Sequence, residues 1–357
     1  MSKVLVIGDP HFQMSNLKEV RRFVPLCLKY AEKSTTRSTT APSRSEWAAI
    51  VVLGDILHDH ERLHTTALNI AVAFLNDLSE IAPVYALVGN HDLINNSQFL
   101  TSNHWMNGLK LNGNITVVDT VEECEIGGKR MVFVPYVQPG RFVEALETKY
   151  KNDEWKDADI IFAHQEFRGC KMGSMVSEEG DAWDEKWPFV VSGHIHRNQT
   201  PQCNVYYPGS ALQVAFGESE KNVLAIVDCK NIGRENVEEI DLGLPRKKII
   251  YTDPEGVKKL DMKKFQNHQL KICVDASKDA FKALKKSAQY KKLEKKGVKI
   301  VYKRKRAAIN EENLKTAKAI HSSGGASISF SDILDKVVSK KKSACLSKAY
   351  TKIKILL

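Results

Sequence analysis

Five short apolar runs, KVLVIGD, AAIVVLGD, VYALVGN, DIIFAH and FVVSGH, each close on a residue type that binds metals. Runs this short and rich in Val and Ile suit interior strands covered on both faces, which predicts an α/β fold. Between the second and third, Ala67, Ile70, Ala71, Phe74, Leu75, Leu78 and Ile81 recur at helical spacing. An earlier helix is expected to open at Asn16, with Glu19 completing a capping box, and to kink or break at Pro25. The Ser/Thr-rich stretch 33–46 reads as an exposed, flexible loop. CEIGGKRMVFVPY reads as a hairpin turning at Gly127-Gly128, and NVYYPGS and KNVLAIVD supply further strands.

The texture changes after Leu244. Residues 245–357 hold 30 Lys and Arg against 10 Asp and Glu, a net +20, whereas residues 1–244 carry −10. Opposite charge on two regions predicts two functional parts, the basic one suited to a polyanion. QLKICVDAS, the helical DAFKALKKSAQYKKLEKK and GVKIVYKRK form an expected β-α-β cap over 245–320. HSSGGAS reads as a linker within a 321–357 tail. In that tail Ser331 can cap a helix with Ile333, Leu334, Val337 and Val338 on one face, a pattern more common for core packing than for docking. The 357 residues, 43% of them hydrophobic, allow one large core and a second small domain. Seven scattered cysteines without a C-x-x-C pair give neither a disulfide framework nor a thiolate zinc site. No apolar run approaches the roughly 20 residues of a membrane span, and a first strand at Lys3 leaves no room for a secretory signal. An intracellular, cytoplasmic protein that does not engage a membrane is the expectation.

The chemistry lies just past the strands: Asp9-Pro10-His11, Asp55, Asn90-His91-Asp92, His164 and His194-Ile195-His196. Loops at the carboxyl ends of strands converge over a rigid scaffold, so these residues can meet. The two-residue spacings Asp9/His11 and His194/His196 would point both members to one side of an extended backbone. Any one of these motifs occurs by chance; five in order, each behind its own strand, form a pattern. Oxygen and imidazole donors suit Mn²⁺, Mg²⁺, Fe²⁺ or Zn²⁺. A donor set this large is too big for one ion and fits two that clamp the attacking and leaving oxygens of a phosphoryl displacement. In VLGDILHDHERLH, Asp55 is the expected ligand, Asp59, His60 and Glu61 a solvated loop, and His64 a helix start.

This ordered set resembles the calcineurin-like metallophosphoesterases over roughly the first 215 residues. The resemblance implies a four-layer αββα sandwich of two mixed sheets as catalytic domain (1–244). It gives Asp9, His11 and His196 to one metal, Asn90, His164 and His194 to the other, Asp55 to both, and His91 the role of a non-ligand acid/base. GDILH lacks the Asp-Arg-Gly of protein phosphatases and resembles the GD-x-x-H of SbcD-type DNA repair nuclease subunits, as does YPGSALQVAFGE. That likeness implies His58 beside the site presenting DNA, a DNA-binding cap and two metals, with Mn²⁺ favoured. It also implies a docking tail for an SbcC-type coiled-coil ABC ATPase and a homodimer. In the cap, Lys303, Arg304, Lys305 and Arg306 are the expected DNA contacts. The insert EFRGCKMGSMVSEEGDAWDEKWP and the compact length resemble phage and large-virus members.

The expected function is therefore a two-metal DNA exonuclease or endonuclease in repair, recombination or replication. The alternatives are a metallophosphatase or small-molecule phosphodiesterase on the same site, and a non-catalytic nucleic-acid-binding scaffold.

Overall fold

A computed structural model describes residues 3–33, 35–36, 44–304 and the single positions 338 and 350. The linker 321–327, Ile333, Leu334, Val337, Lys305 and Arg306 lie outside the described residues, as does most of the 33–46 stretch. Val338 is helical and half-buried.

Two six-stranded sheets build the larger part. The first is ordered Glu238–Ile240, Leu224–Asp228, Lys3–Ile7, Trp47–Val52, Val84–Leu87 and Ile115–Val118. Its last four strands are mutually parallel and its first two are antiparallel additions. The second is ordered Gln199–Gln202, Val205–Tyr207, Phe189–Ser192, Ile160–Ala163, Lys129–Val134 and Glu122–Ile126, parallel through its four middle strands. Gly127 (φ 63°) and Gly128 (φ 76°) turn the expected hairpin onto its edge. Both residues need positive φ, as a two-residue hairpin turn demands.

Alternation along the strands divides the core into layers. Val4, Val6, Val51 and Leu87 of the first sheet meet Phe133, Phe162, Val191 and Tyr206 of the second. Leu5, Ile7, Ile50 and Val52 face the other way, onto the helices Leu17–Lys33 and Thr65–Ser79 through Phe23, Cys27, Phe74 and Leu78. Val134, Ile161 and Val190 face the short helix Phe142–Glu147 and the buried Trp155 and Trp183. Two mixed sheets between helical layers are the expected sandwich.

The Leu17–Lys33 helix runs through Pro25 without the expected break. Pro25 leaves the Arg21 carbonyl without its helical donor, but both residues are exposed, so water can take that place. Asn16 does not cap this helix with Glu19. Its side chain donates to the His11 carbonyl (2.8 Å) and accepts from the Gln13 amide (3.0 Å), bracing the first motif instead.

Residues Met1–Lys303 form one compact unit. A three-stranded sheet ordered Lys247–Thr252, Gln269–Ala276 and Lys299–Arg304 holds a core of its own, with Ile272, Val274, Phe281, Leu284 and Leu293. The Lys247–Thr252 strand was not anticipated; KKII sits in a basic run that hides its apolar pair. The expected single helix is two, Lys278–Lys285 and Ala288–Lys295, because Ser287 caps the second by accepting from the Tyr290 amide.

Candidate metal centre

The parallel strands of both sheets end at one place, and each motif follows its strand there. Four of its residues have left-handed backbone: Asp9 (φ 28°), His11 (46°), Asp55 (47°) and His194 (76°). The two-residue spacings therefore work through tight turns, not through the extended backbone expected. Such backbone costs about 1–2 kcal/mol per non-glycine residue and persists only where the surroundings enforce it. Part of that enforcement is close approach. A Cβ on Gly193 would lie 2.7 Å from Asp9 Oδ1 and from the Leu53 carbonyl, so only glycine lets the sheets meet here.

Asp9, His11, Asp55, Asn90 and His164 are buried, and His194 and His196 half-buried. Asp55 Oδ2 lies 3.5 Å from His11 Nε2 and 3.4 Å from His164 Nε2, one oxygen between two donor groups. On one side, His11 Nε2 is 2.8 Å from His196 Nε2. On the other, Asn90 Oδ1 is 2.8 Å from His194 Nδ1 and 3.1 Å from His164 Nε2. Asp9 Oδ1 accepts from the His194 amide (3.0 Å) and lies 3.4 Å from His164 Nδ1, while its buried Oδ2 has no partner. All seven expected ligands thus come together.

The electrostatics shift two of the imidazoles in opposite directions. Burial resists charge on His164, but Asp55 and Asp9 beside it outweigh this and push its pKa up to about 9. Burial and the neighbouring His164 push His194 down to about 3. An orphaned buried carboxylate oxygen and a convergent oxygen and imidazole set fit divalent cations.

His91 borders this set. Its amide donates to Asp55 Oδ1 (2.8 Å), and its Nδ1–H donates to the His58 carbonyl at 2.5 Å, which leaves Nε2 for chemistry. The His58 ring stacks on His91 (centroids 5.0 Å, 10°) and its Nδ1 lies 3.1 Å from His11 Nδ1. His60, expected in a solvated loop, is half-buried and also stacks on His91 (4.8 Å, 15°). The period of two between His58 and His60 was the available signal. Asp59 is half-buried and pairs with His64 at 3.6 Å, while Glu61 is exposed. His64 stands at the helix N-cap as expected.

Three further residues support the site in ways that the sequence did not assign. Glu218 holds His196 Nδ1 at 2.9 Å and accepts from the Val214 (2.9 Å) and Ala215 (2.8 Å) amides. Tyr136 packs its ring 5.5 Å from His194 and 6.1 Å from His164. Asp92, fully buried, accepts from the Ile56, Leu57 and Gly89 amides and from the Trp105 indole, tying the second motif to the third. Glu218 closes YPGSALQVAFGE and Asp92 follows His91, whereas Tyr136, at the end of the hairpin run CEIGGKRMVFVPY, belongs to no pattern of metal-type residues.

Of the expected DNA contacts, Lys303 is exposed, with Nζ 4.9 Å from the centre of the exposed Tyr251 ring. Arg304 ends the last strand. Among the described residues no helix is long and apolar enough to cross a membrane.

Residues 2–198 match the family described as calcineurin-like phosphoesterase. A protein of Invertebrate iridescent virus 3 named as phosphoesterase 078R is 43% identical over 302 residues, 84% of each chain. One of Invertebrate iridescent virus 6, named as phosphoesterase 244L, is 45% identical over 289 residues, 80% of this chain and 98% of that one. A solved protein of unknown function from Aquifex aeolicus aligns over 46% of this chain and 78% of its own at 18% identity, with a TM-score of 0.27, too low to carry an argument. With the motif order, the sandwich and the convergent donors in place, the chain belongs to the calcineurin-like phosphoesterase family.

Proposed function

We propose that this phosphoesterase is a two-metal DNA nuclease of the SbcD type, with Mn²⁺ as its favoured ion. The observation that carries the two-metal reading is the single Asp55 oxygen between His11 and His164. Asp9, His11 and His196 would hold one ion, Asn90, His164 and His194 the other, and Asp55 both. When bound, such ions activate water and neutralise charge on the transferring phosphoryl group. His91 keeps its Nδ1 proton on the His58 carbonyl and offers Nε2 to the leaving oxygen.

DNA as substrate is supported by the +20 charge of residues 245–357 against −10 before them. Binding through phosphate contacts would be insensitive to sequence and would weaken steeply with salt. An SbcC-type ATPase partner and a homodimer rest on the resemblance; co-purification that depends on residues 325–357 tests the first. The test of the enzyme is cleavage of DNA with Mn²⁺, compared with turnover of a small aryl phosphodiester. Faster turnover of the small diester and none of DNA would favour the small-molecule reading.

A further inference from the structure

The cleft beside the candidate metal centre has a wall that no motif accounts for. Lys171–Met172 and Met175–Val176 pair as a two-stranded hairpin, turning at Gly173 (φ 63°) and Ser174. It lies within the insert that follows His164. Hairpins this short are unstable alone, and this one is stitched to the body. The Lys171 amide donates to Gln199 Oε1 (2.8 Å), and Gln199 Nε2 donates to the Lys171 carbonyl (3.0 Å). At its base the Gly169 amide donates to the Ser177 carbonyl (2.9 Å) and the Ser177 amide to the Cys170 carbonyl (2.8 Å). Gln199 lies three residues past His196, so the hairpin is fixed to the strand that leaves the two-histidine motif.

Between this hairpin and the Gly217–Ser219 loop lies a cleft of about 770 Å³, floored by His194, Ile195 and His196. Its size is that of pockets for whole organic ligands, about 300–1,000 Å³, and it adjoins the metal ligands directly. Met172 and Ile195 give it apolar surface, while Lys171 and Arg197 bring two exposed cations. Neither cation pairs with an acid among the described residues. The one carboxylate in the lining, Glu218, is engaged by His196 and two backbone amides. Net positive charge beside apolar surface, next to the reacting centre, is complementary to a nucleotide unit: a flat base and a flanking phosphate.

We infer that the cleft between the 171–176 hairpin and the 217–219 loop binds the nucleotide adjoining the scissile phosphate. Lys171 and Arg197 hold its flanking phosphate and Met172 receives its base. The inference rests on the nuclease reading and assigns substrate selection to the insert.

The test uses the full chain with Lys171→Ala and Arg197→Ala combined, and separately Ser174→Trp, which fills the cleft from an exposed turn. Binding of a fluorescent single-stranded oligonucleotide is measured by anisotropy in EDTA. Turnover with Mn²⁺ is measured on that oligonucleotide and on bis(4-nitrophenyl) phosphate. Both variants should raise the oligonucleotide Kd and KM tenfold or more, with kcat/KM for the aryl diester within twofold of wild type. Unchanged oligonucleotide Kd and KM, or an equal loss on both substrates, would overturn the subsite. Failure of the nuclease reading looks different: the wild type itself would then turn over the aryl diester and leave the oligonucleotide intact.

Discussion

Glu218 holds His196 by its Nδ1, at 2.9 Å, and so turns Nε2 toward His11. A carboxylate only accepts, so the Nδ1 atom carries the proton and Nε2 keeps its lone pair for a cation. Partners of this kind typically contribute 10- to 100-fold in metal affinity. Glu218→Ala should lose about that much Mn²⁺ affinity by titration calorimetry, and Glu218→Gln, which keeps an acceptor, should lose less. Equal affinity in all three proteins would remove Glu218 from the site's support.

His91 is held by the His58 carbonyl and by two stacked rings. As an acid/base outside the ligand set, His91→Asn should lower kcat about 10²- to 10⁴-fold while metal content stays at the wild-type level. His60→Ala removes a stacking partner and the contact of His60 Nδ1 with the Leu93 carbonyl at 3.3 Å, and its expected effect is a smaller fall in kcat with little change in KM. Metal loss in His91→Asn would instead make it a ligand.

Asp92 gathers four donors, at 2.8 Å from Trp105 Nε1 and 3.1–3.2 Å from the Ile56, Leu57 and Gly89 amides. Removing the carboxylate leaves buried N–H groups unpaired, each a loss of about 1–3 kcal/mol where no water enters. Asp92→Ala should therefore destabilise the fold by several kcal/mol, read as a lower urea midpoint at unchanged m-value. A midpoint equal to wild type would show that water replaces the carboxylate.

His104 offers a pH test away from the metal ligands. Its Nδ1 accepts from the Met106 amide (3.1 Å) and its Nε2 lies 3.0 Å from Asp119 Oδ2. Burial holds its pKa below the usual histidine value, although Asp119 pulls the other way. A lowered histidine pKa means that the unfolded chain takes up the proton first. Stability present above about pH 6.5 should thus decline as pH falls toward the folded value, by at most about 1.4 kcal/mol per pH unit. His104→Asn should flatten that slope in urea melts between pH 7 and 5; an unchanged slope would assign the decline to other groups.

Much of the catalytic half was legible because strands of Val and Ile punctuated by Asp, Asn and His carry fold and chemistry in the same letters. The metal-type residues behind the five strands were read this way, while their division into seven ligands and a non-ligand His91 came from the family resemblance. What escaped depends on three-dimensional placement. Glu218 closes YPGSALQVAFGE, but nothing in that run marks it as the partner of His196, and His60 looks like surface until His91 is seen beneath it. Pro25 was misjudged because its cost depends on exposure, which periodicity does not report. The break at Ser287 was masked by lysines on both sides, whose long stems fit a continuous helix equally well. The left-handed turns at Asp9 and His194 are invisible in a spacing of two, which serves an extended strand as readily.

Metal-dependent hydrolysis of DNA, at a centre that Asp55 would bridge, is open to direct test. The most direct measurement is cleavage of end-labelled DNA by the wild type and by Asp55→Asn, with Mn²⁺ and with EDTA, alongside bound-metal content. Expected are cleavage by the wild type with Mn²⁺ alone, two ions per chain, and loss of both activity and bound metal in Asp55→Asn. DNA left intact by a wild-type protein carrying two ions would contradict the nuclease, and full cleavage by Asp55→Asn would contradict the bridge.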